Sequence, residues 1–390
     1  MPETPVSYRW VDAQAEIDEI VAAVAEQPRY ALDTEFHRER TYFPKLALVQ
    51  IAWREGGSQR LVLIDPLAVD ATALATLFCS DALCVIHAAQ QDLDVLTHAV
   101  GAVPQRLFDT QLAAGFTGYG TPSLVSLLQG EIGVHPPKGD RLTDWLRRPL
   151  TESQRAYAAS DVEYLLDVHE RLVAKLSDTG RLPWADEACE ELRRKPVSGA
   201  APEDAWLRLK DARALRGKGR AIARSVAAWR ERRAMRTDVP VRQVLPDLAV
   251  LGIAQRAPKD LTELAQARGV DERHSRGAIG EEILDAVRQA RDLPVPAAPP
   301  SADDLDRSLR PAVTLVSAWV AQLARDEHLD PALLATRADI VAFLRGDEDA
   351  RLASGWRREL VGDGISRRVS GRSGLTFDGN GGLVLTDVAG

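Results

Sequence analysis

Tyr30-Ala31-Leu32-Asp33-Thr34-Glu35-Phe36 is the stretch on which the reading of the fold turns. Aromatic and aliphatic residues dominate it, which favours an extended chain. Strand side chains alternate between faces, so Asp33 and Glu35 project to the same side. An acid two residues from another is common: with 57 acids in 390 residues, chance alone gives roughly eight such pairs. Placement singles this pair out. Tyr30, Leu32 and Phe36 commit the strand to packing, and inward carboxylates are costly unless something positive neutralises them.

Working outward, residues 8 to about 180 alternate short apolar runs with amphipathic segments. Runs at 30–36, 46–53, 61–65 and 84–87 suit strands of a mixed sheet covered by helices. Ile17, Ile20, Val21 and Val24 share one helical face, and further helices are expected at 71–78, 90–99, 122–130 and 152–176. Thr151 can cap the last of these while Gln154 reaches back, a Thr-x-x-Gln capping box.

Three more polar residues stand at telling places. Asp92 falls in the first turn of the helix after the 84–87 strand, where the helix dipole alone would favour an acid. Asp94, its neighbour, is turned to a different helical face. Tyr157 and Asp161 lie at i and i+4 on one face of the 152–176 helix, and on their own would pass for a hydrogen-bonded pair. Together, Asp33, Glu35, Asp92 and Asp161 supply four carboxylates, enough for two divalent ions that hold the attacking and leaving oxygens of an in-line phosphoryl displacement. Oxygen donors select Mg²⁺ or Mn²⁺ over zinc, and Tyr157 is placed to orient the attacking water.

Charge is segregated. Residues 205–236 hold eleven Lys/Arg against two acids, a local +9, which leaves −17 for the rest of a chain whose net charge is −8. Such asymmetry points to a polyanion partner that the total conceals. Arg216, Lys218 and Arg220 are its candidate phosphate contacts, while Trp206 and Trp229 read as core. A second cluster, Lys138, Arg141, Arg147 and Arg148, precedes the catalytic helix, and Lys138 or Arg141 is a candidate for the scissile-end phosphate. Three cysteines form no CxxC pair, which speaks against a structural zinc and for a reducing compartment. No run is long and apolar enough to span a bilayer, and the first twenty residues show no secretory pattern. The expectation is a cytoplasmic protein with no membrane and no obligate protein partner.

The motifs resemble those of the DEDD exonuclease superfamily, in its tyrosine-bearing branch exemplified by ribonuclease D. The resemblance rests on residues 33–50 (DTEFHRERTYFPKLALVQ), 87–93 (HAAQQDL), 108–111 (FDTQ) and 143–165 (TDWLRRPLTESQRAYAASDVEYL). It implies Asp33, Glu35, Asp92 and Asp161 as metal ligands and Tyr157 as the catalytic tyrosine. Residues 203–292 are similar to the HRDC nucleic-acid-binding module, and 305–365 resemble, more weakly, the additional helical domain of bacterial ribonuclease D. The architecture implied is an α/β nuclease domain at 8–180, ribonuclease H-like with a mixed five-stranded sheet and flanking helices, followed by two all-α HRDC-like domains. A proline-rich linker occupies 293–304, and the tail, 366–390, resembles a hairpin. The implied activity is 3′→5′ hydrolysis of RNA to 5′-mononucleotides on single-stranded 3′ ends, including tRNA precursors. Two alternatives stand beside it: a single-strand DNA exonuclease, and an RNA-binding scaffold with a vestigial site. A helicase module lacks its GxxxxGK[ST] loop here.

Overall fold

The computed structural model describes residues 7–136, 143–195, 201–297 and 305–387. Its first region holds six strands: β1 (Arg9–Val11), β2 (Arg29–His37), β3 (Lys45–Glu55), β4 (Ser58–Ile64), β5 (Leu83–Ile86) and β6 (Leu107–Asp109). They form one mixed sheet in the order β1-β4-β3-β2-β5-β6, with β2–β3 and β3–β4 antiparallel and the remaining pairs parallel. The expected five strands are therefore six. The two edge strands, β1 and β6, are three residues each, too short to carry an alternation that sequence could reveal.

Helices α1 (Gln14–Ala25), α2 (Leu74–Phe78), α3 (Gln90–Ala99), α4 (Thr110–Ala114), α5 (Leu124–Ile132), α6 (Glu152–Glu163), α7 (Leu165–Asp178) and α8 (Leu182–Arg194) surround this sheet. Helix α1 shows what fixes them. Its N-cap Ala13 makes no side-chain bond, forgoing about 1 kcal/mol, but Ile17, Ile20, Val21 and Val24 are buried at roughly 2 kcal/mol each. Packing decides. On that face of the sheet these residues join Tyr30, Leu32, Ile51 and Leu96. On the opposite face Ala31, Leu48 and Leu63 meet Ala158, Ala159 and Val162 of α6. Because both faces of β3 are covered, it is buried almost without interruption.

The helix expected over 152–176 is two helices. Tyr164, at φ −110° and ψ 4°, separates α6 from α7. The break allows one stretch of chain to serve two cores. Leu165 and Leu166 still pack with α6 against the sheet. Val168, Leu172 and Leu176 instead join Phe108, Phe116 and Leu127 in a different cluster.

Residues 202–292 are helical, with α9 (Lys218–Thr237), α10 (Val241–Val244), α11 (Asp247–Arg256), α12 (Leu261–Ala265) and α13 (Gly277–Asp292) around a core of their own. Trp206 is buried in that core, and Trp229 packs at its margin with its indole N–H donating to Glu282 at 2.8 Å. Helices α14 (Arg310–Asp326), α15 (Pro331–Leu334) and α16 (Arg337–Arg345) follow. Val313, Val316 and Trp319 of α14 belong to the same cluster as Phe116, Leu127 and Leu172. The joint is close: Asp330 N–H donates to the Gly115 carbonyl at 2.8 Å, and a Cβ on Gly115 would meet Leu333 at 2.6 Å. Strands β7 (Ser373–Phe377) and β8 (Leu383–Asp387) pair as an antiparallel hairpin. Among the described residues no helix is long and apolar enough to cross a membrane.

Candidate active site

Asp33 and Glu35 leave β2 toward the face covered by α6, as alternation requires. Asp33 sits opposite Gln50, whose amide approaches its Oδ2 at 3.4 Å, and the register slips by one residue just after Glu35. The extra residue is Ala47 of β3, so β3 bends there while β2 stays paired to His37. Asp161 comes from α6, and its carboxylate oxygen lies within 4.8 Å of those of Asp33 and Glu35. Tyr157, one turn earlier on α6, has its ring stacked on Trp145 with centroids 6.2 Å apart. The capping box expected at the start of α6 is present in both directions, Thr151 N–H to Gln154 Oε1 at 2.8 Å and Gln154 N–H to Thr151 Oγ1 at 3.2 Å.

Asp92 approaches from the other layer, outside the cluster of Asp33, Glu35 and Asp161 but near enough for its charge to raise Asp33 and Glu35. It is buried in the first turn of α3, and the Thr34 hydroxyl donates to its Oδ1 at 2.5 Å. The turn that delivers α3 is held by Asp109. One of its carboxylate oxygens accepts from Ala88, Gln111 and Leu112 N–H at 3.0, 2.9 and 3.2 Å, and the other from Ala89 N–H at 2.8 Å. Ala88 has φ +60°, a left-handed conformation that a residue with a side chain adopts only when its surroundings insist. Neither Thr34 nor Asp109 stood out as a functional residue in the sequence. A hydroxyl between two acids on an otherwise apolar strand was the available signal for the first, and the FDTQ stretch for the second.

The electrostatics follow from this crowding. Burial, followed by the charges of Asp161, Asp92 and Glu35, holds the Asp33 carboxyl well above the ordinary range. Burial, then Asp161 and Asp92, pushes Glu35 up to about 8. Burial raises Asp92 to about 7 against the opposing pull of the Thr34 hydrogen bond. Three acids held above their ordinary range by burial, two of them also by the charge of Asp161, are what a divalent cation would relieve. An all-oxygen donor set of this size fits a hard cation. Asp94, by contrast, turns away to Arg38 at 2.6 Å and His98 at 3.6 Å.

The basic candidates fare differently. Lys138 and Arg141 lie outside the described residues. Arg148 holds Asp65 with two bonds of 2.7 Å and donates to the Ala47 carbonyl, so it fastens the approach to α6. Arg216 and Lys218 are exposed at the start of α9 and Arg220 is half-buried. Lys218 donates to the Arg291 carbonyl at 2.6 Å and Arg220 to the Leu215 carbonyl at 2.9 Å. Much of the basic run is neutralised within the fold: Arg208, Arg230, Arg232 and Arg233 pair with Glu231, Asp247, Glu203 and Glu282. Its surface excess is smaller than its composition.

Residues 8–177 match the model of the 3′-5′ exonuclease family, and residues 220–287 match that of the HRDC domain. Proteins named ribonuclease D align along nearly the whole chain. The one from Jannaschia sp. is 37% identical, covering 92% of this chain and 94% of its own. That from Gluconacetobacter diazotrophicus is 36% identical with 92% of each covered, and that from Escherichia coli is 32% identical with 92% and 98% covered. The crystal structure of Escherichia coli RNase D, an exoribonuclease involved in structured RNA processing, superposes with a TM-score of 0.83 at 31% identity, covering 94% of this chain and 99% of that one. Sequence, fold and domain order agree along almost the full length, and the chain belongs to the ribonuclease D family of 3′→5′ exoribonucleases.

Proposed function

We propose that this chain removes nucleotides singly from single-stranded RNA 3′ ends, tRNA precursors among them, and releases 5′-mononucleotides. The observation that carries this reading is the approach of Asp161 to Asp33 and Glu35, three acids drawn from two elements far apart in the chain. Asp33, Glu35, Asp92 and Asp161 would hold two divalent ions, Mg²⁺ or Mn²⁺. When bound, such ions offset the charge developing on the scissile phosphate and on the oxygens entering and leaving it. Tyr157 acts as the catalytic tyrosine, its hydroxyl orienting the attacking water while Trp145 fixes the ring. Thr34 holds the Asp92 carboxylate in a single orientation. The exposed Arg216 and Lys218, with Arg220 beside them, contact phosphates upstream of the reacting end, and Lys138 or Arg141 the phosphate at that end. We read residues 305–365 as a second HRDC-like module. Their all-helical composition supports this, although their apolar residues are shared with the nuclease helices.

Asp161→Asn tests the site. It should lower the single-turnover rate on a labelled RNA oligonucleotide by at least about a hundredfold, with RNA affinity kept. A variant that degrades RNA normally would remove Asp161 from the chemistry. The acids read phosphate and not sugar, so a DNA oligonucleotide of the same sequence belongs in the assay. Equal rates on both would overturn the preference for RNA.

A further inference from the structure

The seven residues 38–44 between β2 and β3 begin three positions after Glu35 and have no regular structure. Their conformation is set from outside. The backbone N–H groups of Tyr42 and Phe43 both donate to Oδ1 of Asp238, each at 3.0 Å, and the Tyr42 hydroxyl donates to Oε1 of Glu231 at 2.8 Å. Glu231 lies on α9, 3% exposed, and Asp238 caps the end of that helix at φ +49°. Hydrogen bonds to carboxylates are the stronger kind. Apolar packing does not fill this junction, because a cavity of about 400 Å³ lies beside it, lined by Arg38, Tyr42, Arg208 and Arg242 among others. On its other side the loop grips α3. The Phe43 ring packs on His98 at 4.7 Å, and Arg38 pairs with Asp94 and donates to the Gln91 carbonyl at 3.2 Å. The loop thus joins the helix of the HRDC region to both elements, β2 and α3, that carry Asp33, Glu35 and Asp92.

We propose that α9 fastens the β2–β3 loop through Asp238 and Glu231, so that Tyr42 and Asp238 are positioning residues and the HRDC region sets turnover as well as grip. This rests on the assignment of the acidic cluster as the hydrolytic site. Reaction rates are sensitive to displacements of an ångström or less in the groups that position a substrate, so a loosened loop is felt at Glu35 and Asp92.

The test uses the full chain, Mg²⁺ and a labelled single-stranded RNA oligonucleotide, with the single-turnover rate at saturation and the affinity in EDTA measured separately. Asp238→Ala should lower the saturated rate about tenfold with affinity within about twofold. Asp238→Asn, which keeps an acceptor oxygen, should recover most of the loss. Tyr42→Phe keeps the ring and should cost about threefold without a change in melting temperature. An unchanged saturated rate in these variants, or a loss confined to affinity, overturns the proposal. If Asp238→Ala does not fold, Tyr42→Phe decides alone. Asp161→Asn, run in parallel, separates the two readings: normal degradation by that variant overturns the site assignment, whatever the loop variants do.

Discussion

At the scale of single residues, the crowded acids make two outcomes accessible. Glu35 is raised to about 8 and Asp92 to about 7, whereas carboxyls in an unfolded chain ionise near roughly 4. Between those values the metal-free folded protein binds more protons than the unfolded one. Its stability should therefore fall as pH rises from about 5 to 8, and Mg²⁺ or Mn²⁺ should restore it. Melting temperatures in EDTA and in metal across that range measure this, and Glu35→Gln should flatten the EDTA curve. A metal-free protein that gains stability with rising pH, with Glu35→Gln making no difference, would contradict the account. The second outcome concerns Tyr157→Phe, which keeps the stacking on Trp145 but deletes the hydroxyl. Turnover should fall at least about tenfold, toward the range of lost proton-transfer groups, with metal affinity and melting unchanged. Lost stability with normal turnover would make the hydroxyl structural. Periodicity put Asp33 and Glu35 on one face of a strand and Tyr157 and Asp161 on one face of a helix, while Asp92 was singled out only by the resemblance of its motif. Thr34 and Asp109 were not legible in sequence, because they act through hydrogen bonds across 58 and 20 residues of chain.

Among elements, α3 is the one whose placement matters most. Its entry turn is held by one carboxylate accepting four backbone N–H groups around the left-handed Ala88. Asp109→Ala leaves buried donors unmet and should destabilise the protein by at least about 3 kcal/mol. It should also lower turnover below what Asp109→Asn does, since the Asn retains one acceptor. Denaturant melts and single-turnover rates on the two variants would show it. Equal stability of Asp109→Ala and the parent would mean that packing alone holds the turn. Helix α6 depends on a feature that was readable in advance, the Thr151–Gln154 box. Its end at Tyr164 was not readable, because neither proline nor glycine marks it. Past the break, α7 keeps Leu165 and Leu166 in the core of α6 and carries Val168, Leu172 and Leu176 into another.

Across the whole molecule, sharing of cores limits what can be cut away. A fragment ending at Lys195 retains Asp33, Glu35, Asp92, Tyr157 and Asp161 but loses Val313, Val316 and Trp319, which pack with Phe116, Leu127 and Leu172. It should melt at lower temperature and bind an apolar dye. It loses Asp238 and Glu231 as well, so its saturated rate should drop together with its affinity for RNA. Phosphate grip itself is best tested in the full chain with Arg216→Gln, because Lys218 and Arg220 also bond carbonyls. Affinity should weaken, and the salt slope should shrink by about 0.7, the contribution of one phosphate on a single strand. An unaltered slope would remove Arg216 from the contact surface.

Periodicity and composition determined the local matters by themselves: which residues form β2, which face of it bears acids, where α6 is capped, and that a basic helical region follows. These depend on neighbours within a turn or a strand, whose geometry is fixed by the backbone. That Asp161 would meet Asp33 and Glu35 was implied by the motif resemblance, whereas tertiary structure alone decided that Thr34 holds Asp92, that Arg148 serves Asp65, and that arginines of α9 are partly spent on Glu203 and Glu282. It also decided that α9 grips the loop beside the acids. Each of those contacts joins residues far apart in the chain, and burial and charge balance, which no local pattern records, select among the many partners a side chain could have had.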